Sequence, residues 1–557
     1  MGRISRRRAL ALGAGAAINA VLVACGNGDD DDAVSSTSSR STTRATGSRT
    51  TVPATASTAP ATSVPAGPEG APPIEEYDLG ATLRLGYAAP PTRFDPHRSS
   101  SSYDNNTLQV TYDRLFHLTP EGLPGPGLAT GWEFGDGGAH LDLTLRDGVR
   151  FHDGTPFDAD AVKANIERAQ TLEGSAVAAE LAMITAVEVL APDRVRLQLG
   201  APAAHLPAVL SDRPGMMISP AAFDKPDLDV APVGAGMYRV ASYEEGIAIV
   251  FERFEDYWDP DSVRCARIEW SITPDSTTRF NALQSGQIDA AVISPQDDAR
   301  AESAGFHVVR RGGVEFFHVH LNRSYEPFAD ADVRRALNHA IDRQAIVDTL
   351  YSGLAVPNGQ PFPEGYFAYD PETGSDPYPY DPERARQLLA DAGYADGFEF
   401  EMLFQISALM ESVALAIQAQ LAEVGITVHV RPIEPVQAGD IFYVRQESNA
   451  LAAMWGGRAD PTQTLRLLYS AEGFSNPGRH TTPEMTAAIE ATAAVQTQEE
   501  RIEACRRASA QVVADALDVV LYYPITSYAF SERVLGADAM GPGRPEFRYV
   551  GIRKEEG

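Results

Sequence analysis

Apolar residues alternate with polar ones at Leu141, Leu143 and Leu145, at Val195, Leu197 and Leu199, and at Ile426, Val428 and Val430. A period of two puts each set on one face of a strand. Elsewhere the period lengthens to three or four. Val162 and Ile166 follow Asp158, whose carboxylate suits a helix start. Val333, Ala336, Leu337, Ala340, Ile341 and Val347 follow Asp330 and Asp332 and predict one helix running towards Gly353. Asp381-Pro382 supplies a cap and a proline at the first helical position; Leu388, Leu389 and Ala392 line one face before Gly393. Strands and helices alternate along the body without an internal repeat, so the predicted class is α/β.

The N-terminus reads differently. Arg6, Arg7 and Arg8 precede a short apolar stretch from Ala9 to Ala24, and Leu22-Val23-Ala24-Cys25 closes it. Residues 1–24 therefore read as a signal peptide, and Cys25 resembles the lipidated cysteine of a bacterial lipobox. The arginines leave the general and the twin-arginine export routes both open. Residues 25–76 are rich in Ser, Thr, Ala and Pro and predict a disordered tether. Past residue 24 no apolar run reaches the ~18 residues that cross a bilayer. The expected product is exported and lipid-anchored on the outer face of the cytoplasmic membrane.

The net charge of −30 at pH 7 repels nucleic acid and argues against a nucleic-acid partner. At 557 residues the chain exceeds one ordinary core, so more than one lobe is expected. Besides Cys25 there are Cys265 and Cys505, read as buried free thiols with pairing left open. His318 and His320 share one face of a strand, but no third ligand stands at a suitable spacing, so they read as packing residues and no metal is expected. His152-Asp153-Gly154 reads as a tight turn, and Asp342-Arg343 as a surface or interface ion pair.

A series of motifs in a fixed order is more specific than any of these. Phe94-Asp95-Pro96-His97, Leu128-Ala129-Thr130-Gly131-Trp132, and the run from Leu145-Arg146-Asp147-Gly148 to Thr155-Pro156-Phe157 come first. Pro232-Val233-Gly234-Ala235-Gly236-Met237-Tyr238, Asp256-Tyr257-Trp258, and Ala282-Leu283-Gln284-Ser285-Gly286 follow. Val333-Arg334-Arg335-Ala336-Leu337 and Ala340-Ile341-Asp342-Arg343 complete the order, with Asp381 to Tyr394 last. Together they resemble the extracellular solute-binding proteins of ABC transporters for oligopeptides, dipeptides and nickel. That resemblance implies a two-lobe, periplasmic-binding-protein-like α/β fold with crossover hinge strands and an extra subdomain on the first lobe. The implied division is 77–115 and 232–322 for the first lobe, 116–231 for the subdomain, 323–519 for the second lobe, and 520–557 for the return and tail.

The resemblance also implies the role: a monomer that captures a peptide or peptide-like solute between closing lobes and delivers it to an ABC permease and its ATPase subunits. No cofactor is implied. In peptide-binding members the segment matching Trp455-Gly456-Gly457-Arg458-Ala459-Asp460-Pro461 resembles Trp-x-Ala-Asp-Tyr, whose aspartate holds the peptide ammonium. Here Arg458 stands at that position. Its planar fork of donors suits a carboxylate or phosphate. The expected ligand-binding residues are Arg458, Trp455, Gly456, Thr92, Pro91, Tyr103 and Phe317, with Asp460 as partial substitute or helix cap. Metal chelates, small acids and sugar derivatives remain alternative solutes, and a solute-sensing receptor remains an alternative role. Gly-x-Ser-x-Gly, His-Glu-x-x-His and any Gly-Lys pair are absent, so neither a hydrolase nor an ATPase is expected.

Overall fold

The computed structural model describes residues 71–99, 101–495, 497–540 and 546–555. The signal peptide, Cys25 and the tether up to residue 70 lie outside the described residues. Residues 71–76, included in the expected tether, are described: Ile74–Glu76 form a 3-10 turn, and the Lys554 amide donates to the Glu76 carbonyl at 2.8 Å. Among the described residues no helix is long and apolar enough to cross a membrane.

The chain is a mixed α/β protein of two lobes threaded by one 12-stranded sheet. In the first lobe, Thr82–Tyr87 pairs in parallel with Arg267–Ile272 and with Ala290–Ile293, and Ala248–Arg253 and Tyr238–Glu244 extend the sheet antiparallel. Leu83, Leu85, Phe251 and Trp270 make its core. In the second lobe, Glu399–Gln405 lies between Thr427–Ile433 and Ala450–Trp455, and Phe316–Leu321 joins the far side of Ala450–Trp455. Val319, Leu337, Met402 and Ile417 are in that core.

One strand, Val519–Phe530, belongs to both lobes. Its first half pairs with Phe316–Leu321 and Ala355–Pro357, its second half with Ala290–Ile293 and His307–Gly312. It is buried at both ends and loosens at Pro524, Ile525 and Thr526, where it passes between cores. The other crossing is the link 313–315 between His307–Gly312 and Phe316–Leu321. The expected break at 519/520 falls at the start of that strand, and the one at 322/323 just past the end of Phe316–Leu321. Apart from Thr526 and Ser527 the strand is apolar or aromatic, so its sequence does little to mark where one core hands over to the next.

A four-stranded antiparallel sheet, built from Ala129–Gly135, His140–Leu145, Arg194–Leu199 and Ile184–Ala191, carries helix Ala159–Thr171 on one face. Asp158 caps that helix by accepting from the Ala161 amide at 3.0 Å, and Val162 and Ile166 fill the core. The Pro-Val-Gly-Ala-Gly turn is a close approach: the Gly236 amide donates to the Thr111 carbonyl at 2.9 Å, and an added Cβ would stand 2.5 Å from the Thr111 carbonyl carbon. His152-Asp153-Gly154 is a turn, with Asp153 accepting from the Thr155 amide and from Ser219. Cys265 and Cys505 are buried free thiols in separate cores.

Two expectations change. The helix predicted to run from Asp330 to Gly353 breaks into Ala331–Ala340 and Arg343–Leu350, because Ile341 is extended and Asp342 caps the second helix at the Ala345 amide. Apolar spacing continues across the break, so periodicity alone does not reveal it. Arg343 is not an ion-pair partner of Asp342; it is buried and donates to the Val520 carbonyl and to Asn338.

Buried titratable groups set the acid limit. Burial pushes His97, His152 and His205 down to about 4 each. Arg168 donates to Nδ1 of His97, which fixes that nitrogen as a bare acceptor. The folded state therefore resists protons that the unfolded chain takes up below the ordinary histidine value, ~6.5. Stability from these groups is complete above that value and is lost as pH falls towards 4. We predict a decline of up to about 1.4 kcal/mol per pH unit for each histidine. Urea titrations at about pH 7, 6 and 5 would read it, and a flat profile would reject it.

Candidate ligand-binding site

Arg458 lies on the short loop between strand Ala450–Trp455 and helix Pro461–Tyr469. Its guanidinium carbon sits 4.8 Å above the Trp455 ring, and Nη1 donates to the Gly457 carbonyl at 2.6 Å. Trp455 is itself fixed: Nε1 donates to Thr464 at 3.2 Å, and the ring packs with Phe316, Leu465 and Tyr523. Gly457 has φ +66, and a Cβ there would stand 2.7 Å from the Val314 side chain. The loop therefore presses against the crossing 313–315. Gly456 and Arg458 are exposed at this point.

Asp460 serves the helix. It is fully buried, accepts from the Thr462 amide at 2.8 Å as N-cap, and pairs with buried Arg501. Burial works against the Arg501 charge, yet the Asp460 carboxylate outweighs it and holds the guanidinium above its ordinary value. Both carboxylate oxygens are thereby taken up inside the protein.

In the first lobe, Pro91 is buried and its carbonyl accepts from Tyr243 at 3.3 Å. Thr92 is exposed, but its amide and hydroxyl both bond Asp104, at 2.6 and 2.8 Å. Tyr103 falls in the first turn of helix Ser102–Thr111. Phe317 is a correction. It is fully buried, stacks on Tyr522 with ring centroids 5.1 Å apart, and belongs to the core under helix Ala331–Ala340. Strand alternation puts Phe316, not Phe317, on the face shared with Trp455.

The structure brings Arg458, Trp455, Gly456 and Asp460 together on one loop, and Pro91 and Thr92 together on another. What joins the second lobe to the four-stranded unit was not flagged by the sequence. Gln463, on the helix after Arg458, donates to Glu180 at 2.7 Å. The Ala204 amide donates to the Ala493 carbonyl at 3.2 Å, and the Phe367 amide to the Glu121 carbonyl at 3.1 Å. Burial raises Glu180 above its ordinary value, opposed by the Gln463 amide; Asp212 adds to the rise, while Arg458 and Arg213 lower it. No local pattern marks Glu180, which sits in the unremarkable run Ala178–Leu181.

The geometry is thus of two lobes spanned by paired crossings, with an arginine-bearing loop against one of them. The bacterial extracellular solute-binding proteins, family 5 (middle region), match residues 124–476. The glutathione-binding protein GsiB of Salmonella paratyphi A is 31% identical over 352 residues, which are 62% of this chain and 68% of that relative. The ABC transporter substrate-binding protein CtaP of Listeria monocytogenes superposes with TM-score 0.75 at 22% identity, covering 86% of this chain and 100% of its own. DppA of Helicobacter pylori, solved in complex with the peptide STSA, gives TM-score 0.72 at 24% identity, covering 86% and 99%. The chain belongs to the bacterial extracellular solute-binding proteins of family 5.

The Asp460–Arg501 pair yields a stability prediction. Asp460→Asn keeps a good helix cap but leaves Arg501 buried without a counter-charge, a loss of about 3–5 kcal/mol. A urea midpoint close to the parent's would show that the pair is not what holds this loop.

Proposed function

We propose that the protein captures a small peptide or peptide-like acid and that Arg458 receives a carboxylate of that ligand against the Trp455 wall. The observation that carries this reading is an exposed guanidinium, oriented by an aromatic ring, on the loop beside the interlobe crossing. Peptide binders of the resembling type carry an aspartate at this position. An arginine there inverts the charge that the ligand must present. The likeness to a glutathione-binding relative supports the same class, since glutathione is a small peptide with two carboxylates. Thr92, Pro91 and Tyr103 form the first-lobe wall in this reading, with Gly456 giving the ligand backbone room beside Trp455. Asp460 acts by shaping the loop. The protein binds without catalysing a reaction, acts as a monomer, and passes its solute to a permease and ATPase pair. Export and a lipid on Cys25 keep it at the outer face of the membrane.

Calorimetric titration with glutathione and with short acidic peptides tests the assignment. The parent should bind one equivalent of at least one of them, and Arg458→Ala should weaken that binding about ten- to a hundredfold. Equal binding by Arg458→Ala would sink the carboxylate role. Cell fractionation tests the anchor: Cys25→Ala should leave binding intact and move the protein out of the membrane fraction. Retention there would reject lipidation at this cysteine.

A further inference from the structure

The hairpin of Phe116–Leu118 and Pro124–Pro126 grows out of the four-stranded unit, with Phe116 seated in that unit's core. Two backbone bonds close its tip: the Thr119 amide donates to the Leu123 carbonyl at 2.8 Å, and the Gly122 amide to the Thr119 carbonyl at 2.9 Å. Turns of this kind ordinarily end in solvent. This one ends in the second lobe. Leu123 packs against the cluster that contains Phe362, Phe367, Trp455 and Tyr523. The Phe367 amide bond to the Glu121 carbonyl fixes the register of the contact. Gly122 has φ +83, and an added Cβ there would run into the Tyr366 ring. Only glycine lets the tip lie this close.

The segment that receives the tip is held by the strand shared between the lobes. The Tyr523 hydroxyl donates to the Gln360 carbonyl at 2.9 Å, Ser509 donates to the Gln360 side chain at 3.0 Å, and Arg506 donates to the Phe367 carbonyl at 3.2 Å. Tyr523 stands directly before Pro524, where that strand passes between the cores. Trp455, which carries the Arg458 guanidinium over its ring, belongs to the same cluster. One apolar residue of the four-stranded unit thus touches the group of side chains that includes both the crossing strand and the wall beneath Arg458. The crossings of the chain do not demand this contact, since they lie at 313–315 and near Pro524.

We propose that the turn 119–123 is a strap that fastens the second lobe to the four-stranded unit, so that Leu123 leaves the cluster when the lobes part and its burial sets how often the empty protein opens. Leu123 is a positioning residue for Trp455 and the Arg458 loop and does not touch the solute. Withdrawing a half-buried leucine into water shifts such an equilibrium by about tenfold. The strap is independent of which solute the protein captures.

Hydrogen exchange of the full chain without added solute tests it. Leu123→Asn, which keeps bulk and removes the apolar contact, should speed amide exchange about tenfold in peptides covering 362–369 and 453–462. Exchange in strand Glu399–Gln405 and in the four-stranded sheet should stay within about twofold, which separates a loosened strap from a destabilised fold. Gly122→Ala, which pushes the tip off the Tyr366 ring, should act on the same peptides and serves if Leu123→Asn fails to fold. Small-angle scattering should show a larger radius of gyration for either variant than for the parent. Unchanged exchange in the two peptides, a uniform rise over the whole chain, or an unchanged radius of gyration overturns the strap. Each of these results leaves the carboxylate role of Arg458 standing, because no solute takes part.

Discussion

Everything in this fold depends on one strand serving two cores. Val519–Phe530 is buried at its first five and last four positions and less so at Pro524, Ile525 and Thr526. Proline removes a backbone donor, so its place is where ladder pairing can be interrupted. The second crossing at 313–315 runs beside the Arg458 loop through the contact between Val314 and Gly457. A movement of the lobes about these crossings therefore reaches the loop directly, without a chain of intermediates. The Arg458 loop is part of the surroundings of the crossings rather than a remote feature of the second lobe.

The arginines divide into two kinds. Arg334 and Arg343 are buried and spend their donors mostly on backbone carbonyls, including those of Asp515, Ala516 and Val520. Arg323 bonds Leu517, Leu468 and Asn476. These guanidiniums close the ends of helices and fasten the long strand's start to its neighbours. In the first lobe, Arg548 from the C-terminal tail reaches Asp259 and lies near Asp113. Burial works against the Asp113 charge, but His117, Arg548 and Arg114 outweigh it and hold the carboxyl far below its ordinary range. Much of the distinctive motif series is therefore structural. Arg458 differs in keeping its solvent exposure.

Local chemistry was legible in the sequence, and long-range chemistry was not. Asp158 and Asp381 cap helices because a carboxylate before an apolar repeat has a local donor to accept from. The alternating strands of the four-stranded sheet were readable because that sheet has one buried face. Phe316–Leu321 is buried on both faces, so alternation there could not say which phenylalanine faced Trp455. The break at Ile341 escaped because both helices present apolar residues to the same core. Glu180 was invisible: its meaning comes from Gln463, 283 positions away.

That distance shows how the four-stranded unit is tied to the second lobe by contacts no local pattern announces. Two lobes alone could supply Arg458 on one side and the Thr92 segment on the other. Adding the unit places a carboxylate against the helix that follows the arginine, and supplies a third surface that must come together with the lobes. Groups gathered from three surfaces are in register only when all three meet. The Gln463–Glu180 bond and the backbone bonds beside it therefore tie the second lobe to the four-stranded unit at the foot of the Arg458 loop.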